Sequence, residues 1–309
     1  MVVGSGDPGA AEPALVGAKA AVLGRLSSAG LPVPDFFAVT AEAFARHLED
    51  NAVAWPDPAD AAGLEGLRAR IRSAPVPGPV ASPVVDGYRR LCAATGHAHV
   101  AVRSSGAEED SAAASFAGQF TSLLGVVGEE DLLDALRECW ASCVSERSLR
   151  YRRGLGAAVA GPPAFGVVVQ AQVFADKAGV LFTEHPIDRG TGCSYLEANF
   201  GTGESVTGGI TTPDALEVSR LDPGEVTTRI GTKRRMTVVS PDAKGSVVAE
   251  LDPDRRGAPV LTDREATGIA RAGLQVEALL GSPQDIEWAI DARGLWILQA
   301  RPITASRVA

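Results

Sequence analysis

Asp285, Glu287, Gln299 and Arg301 stand at spacings that suit phosphate chemistry. Residues 285–290 and 295–301 read as two strands across a short turn, with polar and apolar side chains alternating over 285–288 and 298–301. A three-residue loop, Ala292-Arg293-Gly294, with Gly294 in the left-handed position, would close the two runs into a hairpin. That register sets Glu287 opposite Gln299 and Asp285 opposite Arg301, all four on one face. Ile286, Trp288, Leu298 and Ala300 fall on the other. A carboxylate beside an amide oxygen is a hard oxygen pair, suited to a Mg²⁺ that bridges phosphates. A guanidinium next to it can hold a phosphate oxygen. The same pattern also describes a solvated hairpin face with a surface Asp285–Arg301 pair.

Three other segments have phosphate-binding character. Arg103-Ser104-Ser105 follows a strand expected over 99–102, and Ser115-Phe116-Ala117-Gly118-Gln119 lies beyond an acidic loop; charge, hydroxyls and small residues together can clamp phosphate. Lys19 sits at the start of a helix, where its charge opposes the helix dipole unless an anion is near. Gly201-Thr202-Gly203-Glu204 follows a strand and could face a phosphate. Each also reads as ordinary turn or helix chemistry. There is no G-x-x-x-x-G-K-[ST] segment, which argues against a Walker-type NTPase. His47, His97, His99 and His185 are scattered, without metal-ligand spacing.

The elements that must position these groups follow from pattern. Helices are expected over 14–29, 40–48, 64–71, 84–94, 129–150 and 263–280, the last capped by Thr262. Strands are expected at 36–39, 99–102, 165–174, 180–183, 195–198, 216–220, 226–230 and 236–239, besides the closing hairpin. The change from helix-rich to strand-rich character places a boundary near residue 165, giving two α+β lobes, 1–165 and 166–309.

Composition narrows the class. The 309 residues carry 29 Lys+Arg against 38 Asp+Glu, a net charge of −9, which argues against a general nucleic-acid binder. No apolar run reaches the roughly 20 residues of a membrane span, and residues 1–10 do not resemble a targeting segment. Cys92, Cys139, Cys143 and Cys193 show no zinc pattern, and the simplest setting is the reducing cytoplasm.

Taken in order, the segments resemble one family over about residues 15–304: the N-terminal ATP-grasp domain of phosphoenolpyruvate synthase and pyruvate phosphate dikinase, also found in rifampin phosphotransferase. The resemblance rests on Gly17-Ala18-Lys19-Ala20 with Gly30-Leu31-Pro32-Val33-Pro34, Val102-Arg103-Ser104-Ser105 with Glu109-Asp110, and Ala114 to Gln119. It continues through Val168-Val169-Gln170, Gly179 to Thr183, Glu197 to Glu204, Thr212-Pro213-Asp214, Gln284 to Trp288 and Leu298 to Pro302. It implies a two-lobed ATP-grasp fold with a nucleotide cleft between the lobes, and ATP and Mg²⁺ as ligands. Lys19 and Arg103 would bind phosphates, Gln170 would lie by the adenine, Glu287 and Gln299 would hold Mg²⁺, and Arg301 would contact the phosphates being cleaved. Thr183, Glu204 and Lys233 match family positions that bind the nucleotide in less defined ways. Lys19, Arg103 and Arg301 would carry the catalytic charge.

Family enzymes go on to a swivelling domain with a phosphorylated histidine and then to an acceptor domain; no histidine here sits in such a segment. The resemblance therefore implies an ATP-cleaving phosphotransferase component, giving AMP and phosphate, that works with a histidine-carrying protein or domain supplied in trans and a small-molecule acceptor. The alternatives are a direct small-molecule kinase, with His185 or Glu184 as base, and a non-catalytic nucleotide-binding module.

Overall fold

Valine-rich runs in the first half of the chain pair into one antiparallel sheet. The computed structural model describes residues 1–55, 63–106, 121–144, 162–188, 190–222 and 224–303. The chain divides into two units, Met1–Arg25 with Asp35–Gln172, and Leu26–Pro34 with Val173–Ala309. The division falls after Gln172 rather than near residue 165, because the strand at 165–171 is the central strand of the first sheet.

In the first unit, β1 (Val2–Gly4), β2 (Phe36–Val39), β3 (His99–Gly106), β4 (Ser122–Val127) and β5 (Phe165–Ala171) lie in the order β1-β2-β5-β3-β4. Alternation sends Phe165, Val167, Val169 and Ala171 of β5, with Val100 and Val102 of β3, into a core shared with Phe44, Ile71, Leu136 and Trp140. That core is closed by the helices Ala41–Asp50, Leu64–Ser73, Gly78–Thr95 and Glu129–Ser142.

Several expectations are revised. The helix expected over 14–29 is two helices, Pro13–Val16 and Ala18–Ser28, broken at Gly17. Gly17 has φ 83°, and a Cβ there would lie 1.7 Å from the Ser105 carbonyl oxygen, so only glycine lets the chain approach β3 this closely. The helix expected from Val84 begins at Gly78 and takes Pro83 into its body, past the first turn, where its missing N–H costs one backbone hydrogen bond. Arg103-Ser104-Ser105 lies inside β3 rather than in a loop after it. Strands β1 and β4 were not expected. Residues 109–110 and 114–119, and the expected helix end at 145–150, lie outside the described residues.

In the second unit, β6 (Lys177–Phe182), β7 (Cys193–Phe200), β8 (Asp214–Ser219), β9 (Val226–Arg229), β12 (Gln284–Asp291) and β13 (Gly294–Pro302) form an antiparallel sheet in the order β13-β12-β6-β7-β8-β9. A separate ribbon pairs β10 (Arg235–Val238) with β11 (Val247–Glu250), the latter not expected. The edge strand β13 donates Ile297 N–H to the Pro32 carbonyl at 2.7 Å. The helix Asp263–Leu280 has the expected bounds and begins with a capping box. Glu265 N–H reaches Thr262 Oγ1 at 3.3 Å, and Thr262 N–H reaches Glu265 Oε2 at 2.8 Å. It packs on the sheet at Gly273, where a Cβ would stand 2.2 Å from Leu181 Cδ2. Among the described residues no helix is long and apolar enough to cross a membrane.

His47 is fully buried beside Trp140, its ring 4.7 Å away, and its Nε2 lies 3.2 Å from the Ile71 carbonyl. The carbonyl fixes the proton on Nε2. Burial is the main cause holding its pKa below the ordinary 6.5; Arg137 adds to it, and the Ile71 bond opposes it. The unfolded chain therefore takes up a proton that the folded chain refuses. Stability should be full above pH 6.5 and fall as pH drops from there toward the folded-state pKa. His47→Gln, which keeps a donor for Ile71, should flatten that part of the curve in urea unfolding followed from pH 8 to 5; a slope equal to wild type would refute the assignment.

Candidate functional site

The first unit gathers its candidates on the sheet face opposite the helical core. Arg103 pairs with Val168 and Ala101 with Gln170, so Arg103 and Gln170 project from the same face of adjacent strands, one step apart along them. The helix Ala18–Ser28 starts beside them. Ala20 N–H donates to Ser105 Oγ at 3.0 Å, and Lys19 Nζ donates to the Ser104 carbonyl at 2.9 Å. Lys19, Arg103 and Gln170 are all buried, at 4%, 7% and 2% exposure. Among the described residues Gln170 Nε2 has no hydrogen-bond partner, which leaves a buried amide donor available.

The second unit presents the hairpin. Glu287 faces Gln299 and Asp285 faces Arg301, as expected, but the route differs. Asp291 pairs with Gly294, so the loop has two residues, and the register shifts at a bulge between Glu287 and Trp288 that sets Trp288 opposite Ile297. Ile297, not Leu298, is therefore the buried partner of Trp288; Leu298 packs near Ala178 and Ala289 instead. Arg301 donates from Nε at 2.9 Å and Nη2 at 2.7 Å to Asp285 Oδ2. Burial pushes the Asp285 carboxyl up, Arg301 pulls against it, and Glu287 adds to the rise.

Gln299 is buried beside Glu287. Together they offer a pair of hard oxygens whose chemistry fits Mg²⁺. Among the described residues no group of three or more His, Cys, Asp or Glu could hold a metal.

Three other expected residues have defined surroundings. Thr183 follows β6 directly, its hydroxyl donating to Glu277 and accepting the Gln284 N–H at 2.9 Å. Glu204 opens the short helix Glu204–Thr207, and its buried Oε2 has no hydrogen-bond partner among the described residues. Lys233 is fully buried and ion-paired to Asp214. Asp214 also accepts Gly231 N–H at 2.8 Å and Val260 N–H at 2.7 Å. The Lys233 charge is thus directed at a carboxylate that ties three chain segments together.

His185 Nδ1 accepts Asp188 N–H at 2.9 Å and Ile187 N–H at 3.3 Å. This puts the ring proton on Nε2 and leaves no lone pair for a general base. Residues that pattern alone did not single out share the hairpin's face. Val180 pairs with both Glu287 and Glu197, so Glu197 stands in the same row. Tyr195, its pKa raised by burial and then by Glu197, donates to Glu197 Oε1 at 3.4 Å. The alternation of Tyr195, Glu197 and Asn199 with Leu196 and Ala198 was the available signal.

Residues 13–309 match the family described as pyruvate phosphate dikinase, AMP/ATP-binding domain. The chain is 36% identical over 306 residues to a probable phosphoenolpyruvate synthase of Archaeoglobus fulgidus, which covers 95% of this chain and 40% of that protein. It is 37% identical over 317 residues to a rifampicin phosphotransferase of a Streptomyces species, 98% of this chain and 36% of that one. It is also 36% identical over 296 residues to the prodigiosin synthesizing transferase PigC of Serratia marcescens, 95% of this chain and 32% of that protein. The chain thus spans well under half the length of these relatives.

Lys233→Met should leave the buried Asp214 carboxylate without its cation, a loss of about 3–5 kcal/mol. For a unit of this size that is a melting shift of about 6–20 °C. Differential scanning calorimetry of the full chain checks it, and an unchanged melting temperature would show that the pair does not hold the unit together.

Proposed function

The chain belongs to the pyruvate phosphate dikinase AMP/ATP-binding domain family, and from that premise we propose that it binds ATP with Mg²⁺ and cleaves it for a phosphotransferase. The observation that carries the reading is the hairpin register, with Glu287 and Gln299 in one row and Asp285 and Arg301 in the next on the same face. Phosphoryl transfer asks a protein for charge and positioning more than for covalent chemistry, and these side chains supply both.

In this reading the two units form the ATP-grasp lobes. Lys19 and Arg103 hold phosphate oxygens, Gln170 donates its spare amide hydrogen to the adenine, and Glu204 takes a nucleotide hydroxyl. Glu287 and Gln299 would hold Mg²⁺, which neutralises phosphate charge when bound. Arg301, oriented by Asp285, takes up the charge that develops on the cleaved phosphates. Thr183 and Lys233 shape the site by holding its supports. The acceptor is a histidine on a swivelling protein or domain supplied in trans; in net balance ATP, water and histidine give AMP, phosphate and a phosphohistidine, which then serves a small-molecule acceptor. A cytoplasmic setting belongs to the same reading. For the direct kinase, His185 is disfavoured as the base because its lone pair is spent on its own turn, which leaves Glu184 for that role.

The test is nucleotide product analysis after incubation with ATP and Mg²⁺, with and without a histidine-carrying swivelling domain from a relative. AMP and an acid-labile phosphoprotein are expected only with that domain. Glu287→Ala should lower AMP formation roughly 100-fold. ADP formed with a small molecule and no partner would replace this reading with the direct kinase.

A further inference from the structure

The end of β6 departs from an ordinary antiparallel ladder. Beyond the Phe182–Asp285 pair, the next rung would join Thr183 and Gln284 through two backbone bonds. One is present: Thr183 N–H donates to the Gln284 carbonyl at 2.9 Å. The reciprocal bond is not made to the Thr183 carbonyl, which accepts instead from Ser194 Oγ at 3.1 Å and from Arg220 Nη1. Gln284 N–H turns to the Thr183 hydroxyl, at 2.9 Å. The hydroxyl proton goes to Glu277, on the last turns of the helix Asp263–Leu280, and Arg220 Nη2 donates to Glu277 Oε1 at 2.6 Å.

We infer that Thr183, Glu277 and Arg220 form a brace that positions the start of β12, so that Thr183 serves the nucleotide through Asp285 and Glu287 rather than by touching it. Gln284 immediately precedes Asp285, the carboxylate that orients Arg301, and Glu287 follows two residues later. A hydroxyl has one proton to give. In Thr183 it is committed to Glu277, and one lone pair takes the Gln284 N–H, so the hydroxyl has no proton left for a phosphate oxygen or an adenine nitrogen. The partly buried Glu277–Arg220 pair bears a desolvation cost, and its hydrogen bonds converge on this one strand end. If the rung frays, the Asp285–Arg301 row moves first and the Glu287–Gln299 row next. The inference rests on the reading of that hairpin as the Mg²⁺–phosphate site.

The test measures ATP affinity by calorimetry on the full chain, once with Mg²⁺ and once with EDTA, for wild type, Thr183→Val, Thr183→Ser and Glu277→Gln. Thr183→Val removes the hydroxyl, and should weaken the Mg²⁺-dependent part of ATP binding about 10-fold, the scale of lost supporting hydrogen bonds around metal ligands. Affinity in EDTA should stay near wild type, and Thr183→Ser should restore the Mg²⁺ effect. Glu277→Gln should fall in between, and serves as the deciding variant if Thr183→Val does not fold. Lower melting temperatures with unchanged Mg²⁺-dependent affinity in both variants would overturn the inference and leave the brace purely structural. Loss of affinity in Thr183→Val that is equal with Mg²⁺ and with EDTA would overturn it too, by pointing to direct nucleotide contact. Wild type with no Mg²⁺-dependent ATP binding would instead remove the hairpin reading, and the inference with it.

Discussion

Register between β12 and β13 is the constraint on which the second unit's chemistry depends. Side chains alternate across a strand, so a slip of one residue would send Glu287 and Asp285 into the apolar core and bring Ile286 and Trp288 out. Both outcomes are costly, since one buries unpaired carboxylates and the other exposes large apolar surface. The bulge opposite Trp288 reconciles a two-residue turn with the pairing that the site requires. Bulges are a common way to re-aim side chains near a functional site.

Much of this is readable in the chain. The Glu287–Gln299 pairing follows from counting across a three-residue loop; the loop has two residues, and the bulge restores the missing one. The helix Asp263–Leu280 was legible to its ends because Thr262 and Glu265 spell a capping box and Gly281 supplies a left-handed stop. Arg103 was legible as a phosphate candidate but not as a strand residue. Arg-Ser-Ser reads as a loop unless one knows that Lys19 and Gly17 cover it. Strands β1 and β11 have only three and four residues, too few for a local period to reveal them. The Thr183 brace was invisible for a different reason: its members lie at 183, 220 and 277, and only the fold brings them together.

Charge is handled differently in the two rows of buried or half-buried ionic groups. Asp214 is satisfied three times over, by Lys233 and two backbone N–H groups. Such a carboxylate is a fixed strut. Asp285 instead uses one oxygen for Arg301 and is pushed toward its neutral form by burial and by Glu287. Its second oxygen makes no bond to Arg301, so the pair is not a bidentate fork.

The Pro32–Ile297 hydrogen bond has a consequence for synthesis on the ribosome. Pro32 belongs with the second unit, yet the strand that it caps is made roughly 260 residues later, which at about 5–20 residues per second takes roughly 13–52 s. Until then the Pro32 carbonyl lacks this donor, while the helix Ala18–Ser28 that leads toward it is already made. Vectorial folding of this protein thus leaves one early segment waiting, and a nascent chain stalled before β13 would expose it to whatever chaperone samples the tunnel exit.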